Sequence, residues 1–214
     1  GTLNVSAGVR TLTETQDLLT FATTAGNSAV WNDATKNGIC LTLGGGITGI
    51  NYNQQDVFVY EGTIASLTEA ATANQVQEIG ICISDRVGTS SADVGLFGIR
   101  WVQASGSRVF WRQTFIAGAS DLSNSFGTWA QADFPIGIRM VFDNRERILY
   151  YMARKYGSGG EWQVIYRSPT AWERWITGGY AYPMMYYRTG VAGATSAAAC
   201  NWSWDNGGGI IDSH

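Results

Sequence analysis

The sequence predicts an all-β protein, two antiparallel sheets packed face to face in a sandwich. Three observations carry this. Ten short apolar runs recur along the 214 residues, separated by Gly, Asn, Asp and Ser. Several of these runs alternate apolar with polar residues, whereas the 3.6-residue period of an amphipathic helix is almost absent. The composition is that of a turn-rich β protein: 27 Gly, 9 Trp and 10 Tyr, with only 14% charged residues against about 25% in an average domain. At this length one sandwich domain, residues 1–214, accounts for the whole chain.

Taken in order, TETQDLLTFA (13–22) is a short helix candidate, followed by strands at NGICLTL (37–43) and DVFVYEGTI (56–64). SLTEAATANQ (66–75) is a second helix candidate. Strands QEIGICISD (77–85), GLFGIRWVQ (95–103) and RVFWRQTF (108–115) come next, the last two joined through the hairpin segment ASGS (104–107). IGIRMVFD (136–143) and RILYYMAR (147–154) flank NRE (144–146), a turn following Asp143. KYGSGG (155–160) supplies glycines able to take positive φ and leads into EWQVIYR (161–167). SPTAWERW (168–175) is the third helix candidate, opening on Ser168-Pro169 with Glu173 near the capping-box position. AYPMMYYR (181–188) and ACNWSWDN (199–206) complete the ten strands.

Charge excludes one class of partner. The formal net charge is −3 and the twelve Arg are scattered, so no basic patch of the kind phosphate backbones require is expected. Cys40 and Cys82 sit among Ile and Leu, where free Cys behaves as a small buried hydrophobe, and this is expected over a Cys40–Cys82 bridge. His214 is the only histidine, which removes His-based nucleophilic triads and any ready zinc site. No run of about 18 apolar residues is present to insert into a membrane. The opening GTLNVSAGVR lacks the apolar stretch of a signal peptide and reads as a continuation from upstream sequence, a domain excised from a larger chain.

The aromatics concentrate late in the chain. Strand alternation puts Trp162, Val164 and Tyr166 on one face, expected to be the core face because Gln163 and Arg167 occupy the other. Tyr150 and Tyr151 are consecutive, so one of them faces away from the core. Beyond this hairpin, AWERW holds Trp172 and Trp175, YAYPMMYYR holds Tyr180, Tyr182, Tyr186 and Tyr187, and CNWSWDN alternates Trp202 and Trp204 with Asn201, Ser203 and Asp205. So many rings exceed what a sandwich interior hides, and clustered exposed aromatics mark interaction sites.

Flat rings beside Asn, Asp and Arg suit a pyranose, whose C–H face packs on an aromatic plate while its hydroxyls meet polar side chains. The expected carbohydrate-binding set is Trp172, Arg174, Trp175, Tyr182, Tyr187, Asn201, Trp202, Trp204 and Asp205. Glycoside hydrolysis requires two carboxyl groups about 5–10 Å apart, and no Glu-x-Asp-x-Glu run places them together on one sheet face. Asp143-Asn144 and Asp205-Asn206 offer oxygen ligands for calcium, but neither is a dense carboxylate loop, and no cofactor is expected.

The run FGTWAQADFPIGIRMVFDNRERILYYMARKYGSGGEWQVIYRS (126–168), with GICLTLGGGITGINYN (38–53) and EIGICISD (78–85) as earlier strands, resembles the concanavalin A-like lectin/glucanase superfamily. The resemblance implies a jelly-roll sandwich that binds glycans on a concave face or loop rim. The catalytic run of its hydrolases and the metal loop of its legume lectins are absent from the sequence, so neither of those functions is carried over. The reading is a non-catalytic glycan-binding domain, either a carbohydrate-binding module or the receptor-binding tip of an adhesin or phage tail fibre. It belongs outside the cell or on a virion or cell surface, where a trimer would be natural. Two alternatives compete with it: a structural or oligomerisation domain using the same rings as subunit interfaces, and a glycoside hydrolase of this fold.

Overall fold

The computed structural model describes residues 2–5, 10–15, 18–23, 38–42, 50–51, 57–69, 76–84, 93–117, 119–174, 180–189 and 196–205. Fifteen strands run through these residues: β1 (Thr2–Val5), β2 (Arg10–Thr15), β3 (Leu18–Thr23), β4 (Gly38–Thr42), β5 (Ile50–Asn51), β6 (Val57–Leu67), β7 (Val76–Ser84), β8 (Val94–Val102), β9 (Ser107–Ile116), β10 (Ala119–Thr128), β11 (Ile136–Asp143), β12 (Ile148–Lys155), β13 (Gln163–Pro169), β14 (Tyr180–Thr189) and β15 (Ser196–Asp205). They form two antiparallel sheets, as predicted. Sheet A has the order β1-β4-β14-β7-β8-β9-β10, with β5 also pairing β14, and sheet B has the order β13-β12-β11-β6-β15-β3-β2.

The core lies between the sheets and is built by strand alternation. Ile79, Ile81 and Ile83 of β7, Phe97, Ile99 and Trp101 of β8 and Phe110 of β9 meet Phe58, Tyr60 and Ile64 of β6, Ile136, Ile138, Met140 and Phe142 of β11, and Leu149 and Tyr151 of β12. Residues two apart share a face, so this inward set fixes the outward one. On sheet A the outward rows hold Glu78, Gly80 and Cys82 of β7, Leu96, Gly98 and Arg100 of β8, and Val109, Trp111 and Gln113 of β9.

Turn chemistry follows the sequence at three hairpins. Gly106 takes φ 63° after a 3-10 turn at Gln103–Ser105, and Gly159 takes φ 73° after one at Tyr156–Ser158. Between β11 and β12, Asp143 Oδ1 accepts from the backbone N–H groups of Arg145 (3.0 Å) and Glu146 (3.1 Å), which closes the NRE turn.

Two expectations are corrected. The first helix candidate is strand: Arg10–Thr15 and Leu18–Thr23 pair with each other, and Leu18–Thr23 also pairs with β15. Thr- and Leu-rich segments of this kind follow the sheet available to them rather than a weak helical preference. SPTAWERW is also not a helix, because β13 runs through Pro169 and only Thr170–Trp172 turns, in 3-10 geometry. SLTEAATANQ begins as the end of β6 and its residues 70–75 lie outside the described set.

The second correction concerns the hairpin rings. Tyr151 faces Tyr166, but the next pair is Met152 with Val164, so Ile165 is an extra residue in β13. This bulge breaks the period of two. Tyr166 therefore points into the core, while Val164 is 51% exposed and Trp162 packs with Val57, Val141 and Met152 on the outside of sheet B. Of the two consecutive tyrosines, Tyr151 is buried and Tyr150 faces outward, donating to Glu146 at 3.0 Å.

Candidate functional site on the outer face of sheet A

The outward rows of β7, β8, β9 and β14 bring a carboxylate, arginines, an indole and two glycines together, and most of their described residues are buried. These rows run across the four strands. One sets Tyr186 of β14 beside Gly80, Gly98 and Trp111. The next sets Arg188 beside Glu78 and Arg100. Towards the far end Cys82, Val94, Leu96, Phe115 and Tyr186 form an apolar cluster, and Cys82 is a free thiol buried within it. This matches the buried free cysteine the sequence led us to expect at Cys82.

The glycine pair has a local cause. A Cβ on Gly80 would sit 2.2 Å from the Phe97 carbonyl oxygen, and one on Gly98 would sit 2.1 Å from that of Ile79. Only glycine lets β7 and β8 approach this closely. The result is a stretch of sheet without side chains between Tyr186 and Trp111, whose strands are three spacings apart, about 14 Å.

Beside this stretch, charge and ring are packed together. The Arg100 guanidinium lies 4.0 Å from the Trp111 ring centroid, a cation–π contact. Arg100 Nε is also 3.4 Å from Oε1 of Glu78, whose side chain is fully buried. Burying a carboxylate at this level is costly unless a cation compensates it. Trp111 is 8% exposed, and its indole N–H has no hydrogen-bond partner; nor has the buried Nε–H of Arg100. Unsatisfied buried donors are rare in native proteins and call for an explanation. Arg100 of β8 is 24% exposed, and on the edge strand β10 Ser123 and Ser125, in register with Gln113 and Trp111, are exposed.

The residues expected from the sequence are spread over several surfaces. Tyr182 pairs with Ser84, in the outward row of sheet A, and so joins this face by register. Tyr187 is fully buried on the inward side, where its hydroxyl accepts from Gln77 Nε2 at 3.4 Å. Trp202 and Trp204 pair with Gly62 and Tyr60, in the core-facing row of β6, while Asn201 and Asp205 pair with Thr63 and Val59 in its outward row. Trp172 closes the 3-10 turn after β13, and Trp175 lies outside the described residues. Arg174 is 66% exposed and donates to Asp121 at 3.1 Å.

Glu78, Arg100 and Trp111 were not singled out from the sequence. The available signal was a charged residue in each of two otherwise apolar strands, at positions whose neighbours face the core. Aromatic density pointed further along the chain and outweighed it.

No protein-family model and no curated protein matches this chain. Solved structures do. A functionally unknown protein from Saccharomyces cerevisiae superposes with a TM-score of 0.63 at 14% identity, covering 98% of this chain and 97% of its own. The winged bean acidic lectin, solved in complex with methyl-α-D-galactose, gives 0.53 at 8% identity over 94% of this chain and 93% of its own. An alginate lyase from Pseudomonas aeruginosa gives 0.50 at 12% identity over 91% and 86%. The fold is the concanavalin A-like sandwich. The resemblance noted in the sequence is thus borne out as a fold, one that a sugar-binding lectin and a lyase share.

Proposed function

We propose that the protein binds glycans, without catalysis, on the outer face of sheet A. The observation that carries this is the buried indole N–H of Trp111, which has no hydrogen-bond partner and lies beside the glycine stretch, with the Arg100 guanidinium over its ring. A sugar oxygen would satisfy it. The exposed hydroxyls of Ser123 and Ser125 and the half-buried amide of Gln113 would line the rim. Tyr182, in the same set of outward rows, stays in the proposed site. A non-catalytic role agrees with the outward rows of β7, β8, β9 and β14, which hold a single carboxylate, Glu78, where hydrolysis of a glycosidic bond requires two. The reading extends to an extracellular or particle-surface setting, as a binding module or receptor-binding tip.

The test is a glycan array with wild type and Trp111→Phe. Phenylalanine keeps the ring and removes the N–H. Loss of one hydrogen bond, about 0.5–1.5 kcal/mol, lowers affinity roughly 2- to 12-fold. Binding unchanged in Trp111→Phe, or no glycan bound by the wild type, overturns the assignment. Light scattering decides whether the protein is a monomer or the trimer expected of a fibre tip.

A further inference from the structure

We propose that the turn between β11 and β12 and the adjoining end of β13 form an anion site, in which Arg147 and Arg167 bind a sulfate or phosphate group. The site lies on sheet B and does not depend on the reading of sheet A as a glycan-binding face.

The first observation is a backbone conformation. Arg147, which follows the NRE turn and leads into β12, takes φ 58°, in the left-handed region. An L-residue with a side chain is crowded there, whereas glycine adopts the conformation freely. Glycine holds the left-handed position in two other hairpin turns, Gly106 at φ 63° and Gly159 at φ 73°. Ala117, at φ 46°, is the other non-glycine residue with positive φ among the described residues, and its N–H is held by Asp93 at 2.6 Å. What Arg147 gives the fold is its carbonyl oxygen, which accepts from the Thr170 N–H at 2.9 Å and from Thr170 Oγ1 at 3.3 Å. A glycine would supply the same oxygen without the strain. A strained residue whose side chain does nothing for the fold is a mark of function.

The second observation is charge pairing. Arg147 and Arg167 are exposed, and among the described residues their side chains make no ion pair, hydrogen bond or ring contact. Every other arginine with a described side chain has a carboxylate within 3.8 Å. The two acids of the turn are already engaged: Asp143 accepts from the N–H groups of Arg145 and Glu146 and pairs with the Arg145 guanidinium, while Glu146 accepts from Tyr150. Arg145, Arg147 and Arg167 thus stand against two carboxylates, a local positive surplus on a chain of net charge −3.

Register brings the two unpaired arginines to one end of sheet B. Arg167 pairs with Tyr150, three residues beyond Arg147, and Thr170, three residues beyond Arg167, is bonded to Arg147. The separation along the strands is about 10 Å, which two arginine side chains together span. A guanidinium offers a planar fork of N–H donors, no acceptor, and a charge it does not lose. A tetrahedral oxyanion presents oxygens on several sides, so it accepts from both forks at once. Two arginines suffice for one such group and fall far short of the basic track that a nucleic acid needs.

The experiment follows the Arg147 and Arg167 Nε–H signals by NMR during titration with sodium sulfate, sodium phosphate or a sulfated oligosaccharide, against sodium chloride at matched ionic strength. The expected result is a saturable shift of both signals with the oxyanions and none with chloride. Saturation at lower concentration by the oligosaccharide identifies a sulfate ester as the ligand, and saturation at lower concentration by the inorganic ions identifies a free anion. Arg147→Gly, followed at Arg167, should weaken binding about 10-fold or more. Its urea midpoint should equal or exceed that of the wild type, because the strain is gone. Arg167→Gln, followed at Arg147, should weaken binding by a similar factor. No response to the oxyanions, an equal response to chloride, unchanged affinity in Arg147→Gly, or a lowered urea midpoint in that variant overturns the proposal. Glycan binding on sheet A is read separately through Trp111→Phe, so either reading can fail while the other stands.

Discussion

Arg112 and Glu173 meet where neither reaches water: their side chains are 2% and 0% exposed and form a direct ion pair. The pair is not isolated. Tyr151 donates its hydroxyl to Glu173 at 3.2 Å, Arg112 donates to Asn124 at 3.2 Å, and the guanidinium lies 5.2 Å from the Tyr151 ring centroid and 5.1 Å from that of Tyr166. Burial, reinforced by the Glu173 charge, pushes the Tyr151 phenol well above its ordinary range, so it remains a donor. Burial acts to lower the Arg112 pKa, but Tyr151 and Glu173 together raise it, so the guanidinium remains charged. Removing one partner strands the other. Glu173→Ala is expected to cost about 3–5 kcal/mol in urea unfolding, and Arg112→Met with Glu173→Ala together less than the two single losses added. If Glu173→Ala costs under about 1 kcal/mol, the pair does not hold the end of the sandwich. The partners are 61 positions apart, and nothing in AWERW shows that its Glu reaches β9.

Strands were legible where large apolar residues recur at every second position. IGIRMVFD is β11 as read, and β7, β8 and β9 differ from their predicted bounds by a residue or so at each end, because an uninterrupted inward row of large apolar residues leaves a period of two in the sequence. β10 was missed for the opposite reason: ASDLSNSFGT is an edge strand with most residues exposed, so water imposes no pattern on it. The β13 bulge was invisible because the extra residue shows only in the register against β12. Two glycines separate the kinds of constraint these elements impose. At Gly98 a new Cβ meets backbone, the Ile79 carbonyl oxygen at 2.1 Å, whereas at Gly137 it meets the Trp162 and Tyr156 rings at 2.9 Å. Rings on an outer face can move and strands cannot. Gly137→Ala is expected to cost about 1–3 kcal/mol, the usual penalty of overpacking, and Gly98→Ala to cost more. A urea midpoint for Gly98→Ala equal to or above that of Gly137→Ala would show that β7 and β8 can separate.

At the scale of the molecule, the two-sheet architecture was readable from composition and spacing. The proposed binding face was not, because it depends on which outward row borders which, and that is set by strand order. Strand order also decides where the acidic groups serve the fold. Glu69, after β6, accepts a bidentate pair from Arg108 of β9 at 2.5 and 2.8 Å. Asp133 joins two turns, accepting from Ala130 N–H at 2.8 Å, Ser158 Oγ at 2.8 Å and Lys155 Nζ at 3.1 Å. Asp143 closes the β11–β12 turn. For each, burial acts to raise the pKa, but the hydrogen bonds and neighbouring cations together outweigh it and hold the carboxyl below its ordinary value of 4.5 for Glu69 and 3.8 for the aspartates. A carboxyl whose folded pKa lies below its unfolded one binds its proton more readily when unfolded. Its stabilisation is therefore complete above the unfolded value and is lost as pH falls through the folded value. The urea midpoint should stay level from about pH 7 to pH 5 and fall steadily below about pH 4. Asp133→Asn should lower the midpoint at pH 7 and flatten the acid limb, since one of the three contributions no longer titrates. A midpoint that rises on acidification, or an acid limb as steep in Asp133→Asn as in the wild type, would mean that these junction carboxylates do not carry the pH dependence of the sandwich.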